Sequence, residues 1–309
     1  MLHILQLLLL ETECLKVLAA SAWKRRGHWL LAPVAFLIRV SLYTLFLIVI
    51  QLWFGARGRM IFLAYSWLRK VDDIMDAECD PPLGMTVERY VTAKAHAIQC
   101  FQTGCFRDTM PEDRLLLQLW RDSQEICIDI SAEFAGIWEC MEEDYSRRVN
   151  KLVMDEEWLN LQATLYDSLI IGTSIKLLDG DNLTFLEIAR QFRGLYTRTD
   201  WLHDLPDDLR QGICNIPEEA LEKYRINLKN LQLCRTIDEL LEEPGFTSWY
   251  RDEVEKARKD WEGMTRALGH DFGCSFKNSH LLAWLLMKLM SLWFDRSVIT
   301  SPVRSSHGV

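Results

Sequence analysis

Apolar residues recur three and four positions apart along most of this sequence. Residues 87–101 (VERYVTAKAHAIQCF), 114–134 and 158–178 all follow this spacing, which is the period of an α-helix with one buried face. No run alternates apolar and polar residues for long, and no Asn-Gly or Asp-Gly turn joins two strand-like runs. The pattern therefore predicts an all-α fold.

Charge and cysteine usage restrict the class of protein and its compartment. The 309 residues carry a net charge of -9, which argues against nucleic acid as the main partner because phosphate backbones are bound by basic surfaces. The nine cysteines are scattered and form no Cys-x-x-Cys pair, so the spacing gives no support to a zinc site. We interpret them as reduced thiols of a cytoplasmic protein.

The N-terminal segment, residues 1–56, is apolar and is predicted to be separate from a domain at 57–309. Its run VSLYTLFLIVIQLWF (40–54) is shorter than the roughly 20 residues of a spanning helix. Two interpretations stay open: a buried helix, or a helix that contacts the cytosolic face of a membrane. The second is favoured by flanking basic residues, which are Lys24, Arg25, Arg26, Arg57 and Arg59.

A first group of aspartates interrupts a helix-like apolar segment, YSWLRKVDDIMDAECD (65–80). Asp72 and Asp76 are four residues apart and share a helical face, which Asp73 borders. Like charges this close repel, and inside an apolar site they favour a bound cation. The alternative is a solvated acidic turn at the end of a helix.

A second group lies in TDWLHDLPDDLRQG (199–212). Asp200, Asp204 and Asp208 follow one another at intervals of four, so they project from neighbouring positions of a helix. Pro206 lacks an amide proton and is expected to end or kink this helix, which would place Asp207 and Asp208 on a turn.

Two aspartate-rich helices suit the binding of a diphosphate through Mg²⁺. Mg²⁺ prefers oxygen ligands and is typically held by one or two carboxylates together with substrate phosphates. Opposed carboxylate groups could therefore clamp a diphosphate and promote its departure. The chain also contains 12 Trp, 13 Phe and 8 Tyr, and aromatic rings in a cavity would stabilise the carbocation left behind.

These motifs resemble those of the squalene/phytoene synthase family over roughly residues 57–300. The first signature resembles Tyr65-x-x-x-Arg69-x-x-Asp72-Asp73-x-x-Asp76, and the second resembles Asp200-x-x-x-Asp204-x-x-x-Asp208-Leu209-Arg210-x-Gly212. Between them, LYDSLIIGTS resembles a family helix whose tyrosine corresponds to Tyr166 and whose glycine corresponds to Gly172. The resemblance implies a single-domain, isoprenoid-synthase-type helical bundle with a central cavity.

The resemblance also implies roles for individual residues. Mg²⁺ would be held by carboxylates from both groups: Asp72, Asp73, Asp76, Asp200, Asp204 and Asp208. Arg69 and Arg210 would contact diphosphate, and Tyr65 and Thr44 would add substrate contacts. Tyr166 would take part in proton transfer or cation stabilisation, although Arg69 could simply pair with neighbouring aspartates and Tyr166 could be a core residue.

The implied reaction joins two prenyl diphosphates, farnesyl or geranylgeranyl, head to head through a cyclopropylcarbinyl diphosphate. An NADPH-dependent reduction stays open, and no GxGxxG loop supports it. The alternatives are a terpene cyclase that acts on one prenyl diphosphate and a catalytically silent relative that serves in assembly. A monomer is the preferred state.

Several positions differ from the family pattern and leave substrate and product open. Thr197 stands where the family often has Gln, and His203 stands where it usually has Arg. After the second motif, Ile213 and Asn215 replace the usual Arg and Tyr.

Overall fold

The structure is a computed structural model that describes residues 54–77, 79–82, 84–107, 109–179 and 194–271. The described residues form ten α-helices: α1 (Ala56–Met75), α2 (Val87–Thr103), α3 (Arg114–Glu125), α4 (Ser131–Asn150), α5 (Glu156–Asp179), α6 (Leu195–Gln211), α7 (Glu218–Lys223), α8 (Leu228–Leu231), α9 (Ile237–Leu240) and α10 (Pro244–Asp271). A short 3₁₀-helix, Pro111–Asp113, precedes α3. No strand occurs among these residues, which contain only an isolated bridge between Val153 and Cys214. The all-α prediction is confirmed.

The described residues fall into two compact units. Unit 1 contains those up to residue 145 together with 176–179, and unit 2 contains 146–175 and 194–271. Thr44 and residues 40–53 of the apolar run lie outside the described residues. The boundary predicted between residues 56 and 57 stays a prediction. The central cavity stays a prediction.

Aromatic side chains fill the core of unit 1, where α1 packs mainly against α3. Phe134 contacts Phe101 and Trp67, with ring centroids 5.1 and 6.4 Å apart. A polar cluster lies in the same core: the Lys94 ammonium is 2.6 Å from Asp113 Oδ1 and 3.1 Å from Glu112 Oε1. This pairing satisfies a lysine whose side chain has no exposed surface.

The core of unit 2 lies where α6 packs against α9 and α10. Leu205 and Leu209 of α6 join Phe246 in this cluster, and all three are almost completely buried. Because residues four apart share a helical face, the three aspartates Asp200, Asp204 and Asp208 follow a different side of α6 from these leucines.

Of the two outcomes predicted at Pro206, an end or a kink of α6, the end is wrong. The helix continues through Pro206 to Gln211 and is terminated by Gly212, which has a φ of 90°. The buried leucines on either side of Pro206 hold these turns in the core, which offsets the missing amide bond. Asp207 and Asp208 therefore lie in the last turns of α6 and not on a following loop.

Among the described residues, no helix combines the length and the apolar character needed to cross a bilayer.

Candidate functional site

The first aspartate series lies at the C-terminal end of α1. Its side chains follow one helical stripe with Tyr65, which is 40% exposed, and with Arg69 one turn earlier. Asp76 is the capping residue after the last turn, and Ala77 then takes a left-handed φ of 57°. The carbonyl end of a helix carries partial negative charge, so carboxylates placed there favour a nearby cation.

Arg69 supplies one such cation within α1. Its guanidinium contacts Asp72 Oδ2 at 3.1 Å and Asp73 Oδ1 at 2.7 Å. Asp73 is almost fully buried, whereas a third of the Asp72 side chain is exposed. The pairing of Arg69 with neighbouring aspartates, which was the alternative to a diphosphate contact, is therefore present, and it orients two of the three carboxylates. The diphosphate contact stays a prediction.

The second series lies on α6 in unit 2. Asp200 is exposed, and Asp204 and Asp208 are half-buried. Each of the last two has a side-chain partner: His203 Nδ1 lies 2.7 Å from Asp204 Oδ1, and Asn215 Nδ2 donates to Asp208 Oδ2 at 3.0 Å. Arg210, predicted to contact diphosphate, forms an ion pair with Asp207.

The donor set of both series fits Mg²⁺. The available ligands are carboxylate oxygens, which Mg²⁺ prefers. Among the described residues, no three His, Cys, Asp or Glu side chains are grouped closely enough to hold a metal ion by themselves. Each series therefore suits Mg²⁺ that is shared with phosphate and water more than an ion enclosed by protein alone.

Tyr166 is half-buried on α5, and the residue after it connects α5 to α6. Asp167 has no exposed surface and accepts hydrogen bonds from the amides of Tyr196 and Thr197 at 3.0 and 2.9 Å. The Thr197 hydroxyl donates to the same carboxylate at 2.7 Å. Burial raises the pKa of the Asp167 carboxyl to about 6, although these hydrogen bonds act in the opposite direction.

This carboxylate replaces a local cap at the start of α6. The capping position is occupied by Gly194, which has no side chain to accept from the first amides. Gly194 also approaches α5 closely, because a Cβ atom there would lie 2.7 Å from Ala163 Cβ. The helix of the second series thus begins at a point fixed by α5.

A buried arginine in unit 2 was not predicted from the sequence. Arg147 donates to the Cys214 carbonyl at 3.0 Å and to Asn215 Oδ1 at 3.1 Å. Its guanidinium carbon lies 4.7 Å from the centre of the Trp158 ring. Arg147 thus holds Asn215, one of the two residues that differ from the pattern after the second motif, and the backbone of its neighbour Cys214.

A cavity of about 40 Å³ in unit 2 is lined by residues of α5, α6 and α10, among them Trp201, Leu202 and Trp249. A water needs about 10–15 Å³ of such space, so the cavity has room for a few waters and is too small for a prenyl chain. Its lining contains none of the three aspartates of the second series.

Comparison with known proteins gives one family match. A family model described as squalene/phytoene synthase matches residues 44–288, well over half of the 309-residue chain. The matched range begins at Thr44 and contains both aspartate series and Tyr166. A search of curated proteins gave no match.

Proposed function

The chain belongs to the squalene/phytoene synthase family, and we propose that it joins two prenyl diphosphates head to head in a Mg²⁺-dependent reaction. The substrates are farnesyl or geranylgeranyl diphosphate, the intermediate is a cyclopropylcarbinyl diphosphate, and the product is squalene- or phytoene-like. The observation that supports this proposal is that both aspartate series are intact on helices, with Arg69 held against the first at 2.7 and 3.1 Å.

The first step breaks the carbon–oxygen bond of one allylic diphosphate. The carboxylates of Asp72, Asp76, Asp200 and Asp204 would hold the metal ions, assisted by Asp73 and Asp208. Bound Mg²⁺ supplies charge neutralisation on the departing diphosphate. Arg69 and Arg210 donate hydrogen bonds to its oxygens, because a guanidinium presents several donors in one plane, and Tyr65 and Thr44 add contacts.

The second step forms the new carbon–carbon bonds. The double bond of the second substrate attacks the allylic cation, and loss of one proton closes the cyclopropane ring. Tyr166 acts beside the reacting carbons, where its hydroxyl can relay the proton or its ring can stabilise the cation. Its half-buried position on α5 suits a group that must meet an apolar substrate with a polar tip.

Product analysis tests the reaction. The full-length protein is incubated with farnesyl or geranylgeranyl diphosphate, with and without Mg²⁺, and products are identified by mass spectrometry. We expect release of diphosphate and a product with twice the carbon count, only with Mg²⁺. A cyclic product of unchanged carbon count would identify a terpene cyclase, and no release from either substrate would favour an assembly role. Addition of NADPH shows whether the intermediate is reduced.

We further propose a cytoplasmic monomer that contacts the cytosolic face of a membrane through residues 1–56. The apolar run at 40–54 with its flanking basic residues supports this proposal. Co-flotation with anionic vesicles, compared for the full chain and a variant in which this run carries charged residues, tests it. Analytical ultracentrifugation measures the oligomeric state.

A further inference from the structure

Asp208 of the second series is held by a side chain outside α6. Asn215 lies in the segment that follows the helix, is 7% exposed, and donates from Nδ2 to Asp208 Oδ2 at 3.0 Å. The bond joins residues seven positions apart, so it is not part of helix formation. It fixes the rotation of a carboxylate that the proposed function assigns to metal binding.

The orientation of the Asn215 amide is determined by Arg147. An arginine has only donors, so the group facing it must be the amide oxygen. Arg147 donates to Asn215 Oδ1 at 3.1 Å, and the Asn215 NH₂ group therefore faces Asp208. The arginine is 2% exposed and lies over the Trp158 ring, so it has little freedom to move.

The backbone around Asn215 is fixed independently of Asp208's side chain. The Cys214 carbonyl accepts from Arg147 at 3.0 Å, and Cys214 forms a parallel bridge with Val153. The Glu218 amide also donates to the Met154 carbonyl at 3.0 Å. Asn215 is thus presented to Asp208 from a rigid segment.

We propose that Asn215 is a positioning residue for Asp208, and that Arg147 orients it for this role. The inference rests on the proposed function, because it concerns the orientation of the Asp208 carboxylate, which that function assigns to binding the metal ions of a diphosphate. Groups that orient metal-binding side chains typically change metal affinity by about 10- to 100-fold when removed.

A double-mutant cycle tests the proposal with the full-length protein. Mn²⁺ binding in the presence of inorganic pyrophosphate is measured by calorimetry for wild type, N215A, D208A and the double variant. We expect N215A to weaken binding by about 10- to 100-fold in the wild-type background and to have no effect once Asp208 is absent. Equal losses in both backgrounds, or no loss with Asp208 present, would overturn the positioning role.

Two further variants separate positioning from folding. N215D keeps an oxygen acceptor for Arg147 but cannot donate to Asp208, so it should stay folded by circular dichroism and still lose metal affinity. N150A removes an exposed amide that donates to the Ser146 carbonyl, and it should bind Mn²⁺ as wild type does. Wild type that fails to bind Mn²⁺ and pyrophosphate would overturn the proposed function and this inference together, whereas normal binding by both N215A and N215D overturns the inference alone.

Discussion

The Asp167 carboxylate caps α6 from α5: its Oδ1 atom accepts from the Thr197 amide at 2.9 Å and from the Thr197 hydroxyl at 2.7 Å. Asp167, which is 30 positions before Thr197 in the sequence, therefore accepts from an amide in the first turn of α6. A serine or aspartate at the capping position usually supplies this acceptor. The helix that carries the second aspartate series is fixed to the helix that carries Tyr166.

Removal of this cap should destabilise the protein. Asp167→Ala removes the acceptor of the Tyr196 and Thr197 amides, and we expect a loss of roughly 1–3 kcal/mol in the free energy of unfolding. The matched control is Asp155→Ala, which removes an exposed carboxylate that accepts from the Trp158 amide at 2.7 Å and should cost about 1 kcal/mol or less. Urea denaturation measures both, and a larger loss for Asp155→Ala would contradict the assigned role of Asp167.

Asp167 also predicts a dependence of stability on pH. Its pKa is raised by burial to about 6 in the folded state, so the folded protein binds this proton more tightly than the unfolded chain. Its contribution is fully present below about pH 4 and is lost as pH rises through about 6. Compared with Asp167→Asn, wild type should lose roughly 2 kcal/mol between pH 4 and pH 7. A difference that grows with pH would show that hydrogen bonding outweighs burial at this site.

The sequence predicted the helical class and both aspartate series because these depend on local spacing. It did not predict Asp167 or Arg147, whose partners are 30 and 68 positions away, since such contacts follow from packing. Asp167 is the lone aspartate of the apolar run LYDSLII, and a single charged residue in such a run was the available signal for a buried, hydrogen-bonded carboxylate. The error at Pro206 has the same origin, because burial of Leu205 and Leu209 in the core outweighs a local helix-breaking preference.

The buried ammonium of Lys94 provides a test of unit 1. Lys94→Met leaves Asp113 and Glu112 without their cation, and loss of one partner of a buried pair typically costs about 3–5 kcal/mol. Lys176→Met is the control, because Lys176 pairs with Glu133 at 2.8 Å in a partly exposed position, where about 1 kcal/mol or less is expected. Thermal unfolding measures the loss of stability in both variants. Similar losses would mean that burial of the Lys94 ion pairs does not increase the cost of removing the cation.

Gly194 should be intolerant of a side chain for two reasons. It has a φ of 75°, and an added Cβ would lie 2.7 Å from Ala163 Cβ and 2.8 Å from the Thr164 amide nitrogen. Gly212→Ala is a control for the first reason alone, since Gly212 has a similar left-handed conformation with a φ of 90°, and an added Cβ there would come no closer than 3.7 Å to another atom. We expect about 1–2 kcal/mol for Gly212→Ala and a further 1–3 kcal/mol, roughly, for Gly194→Ala. Equal destabilisation by the two variants would show that α5 shifts enough at Ala163 and Thr164 to accommodate the added Cβ atom.

The two aspartate series should be equally necessary for catalysis if they serve one reaction. Asp72→Asn and Asp204→Asn each remove a negative charge while keeping side-chain shape, and we expect each to lower kcat by at least about 100-fold, with the helical circular dichroism signal unchanged. Asp238→Asn, which alters an exposed carboxylate in the first turn of α9, should turn over as wild type does. Because the losses arise from metal binding, raised Mg²⁺ should restore part of the activity of the two variants. If either variant retains turnover, its aspartate is not required for metal binding. Loss of turnover in Asp238→Asn would indicate a general effect of charge.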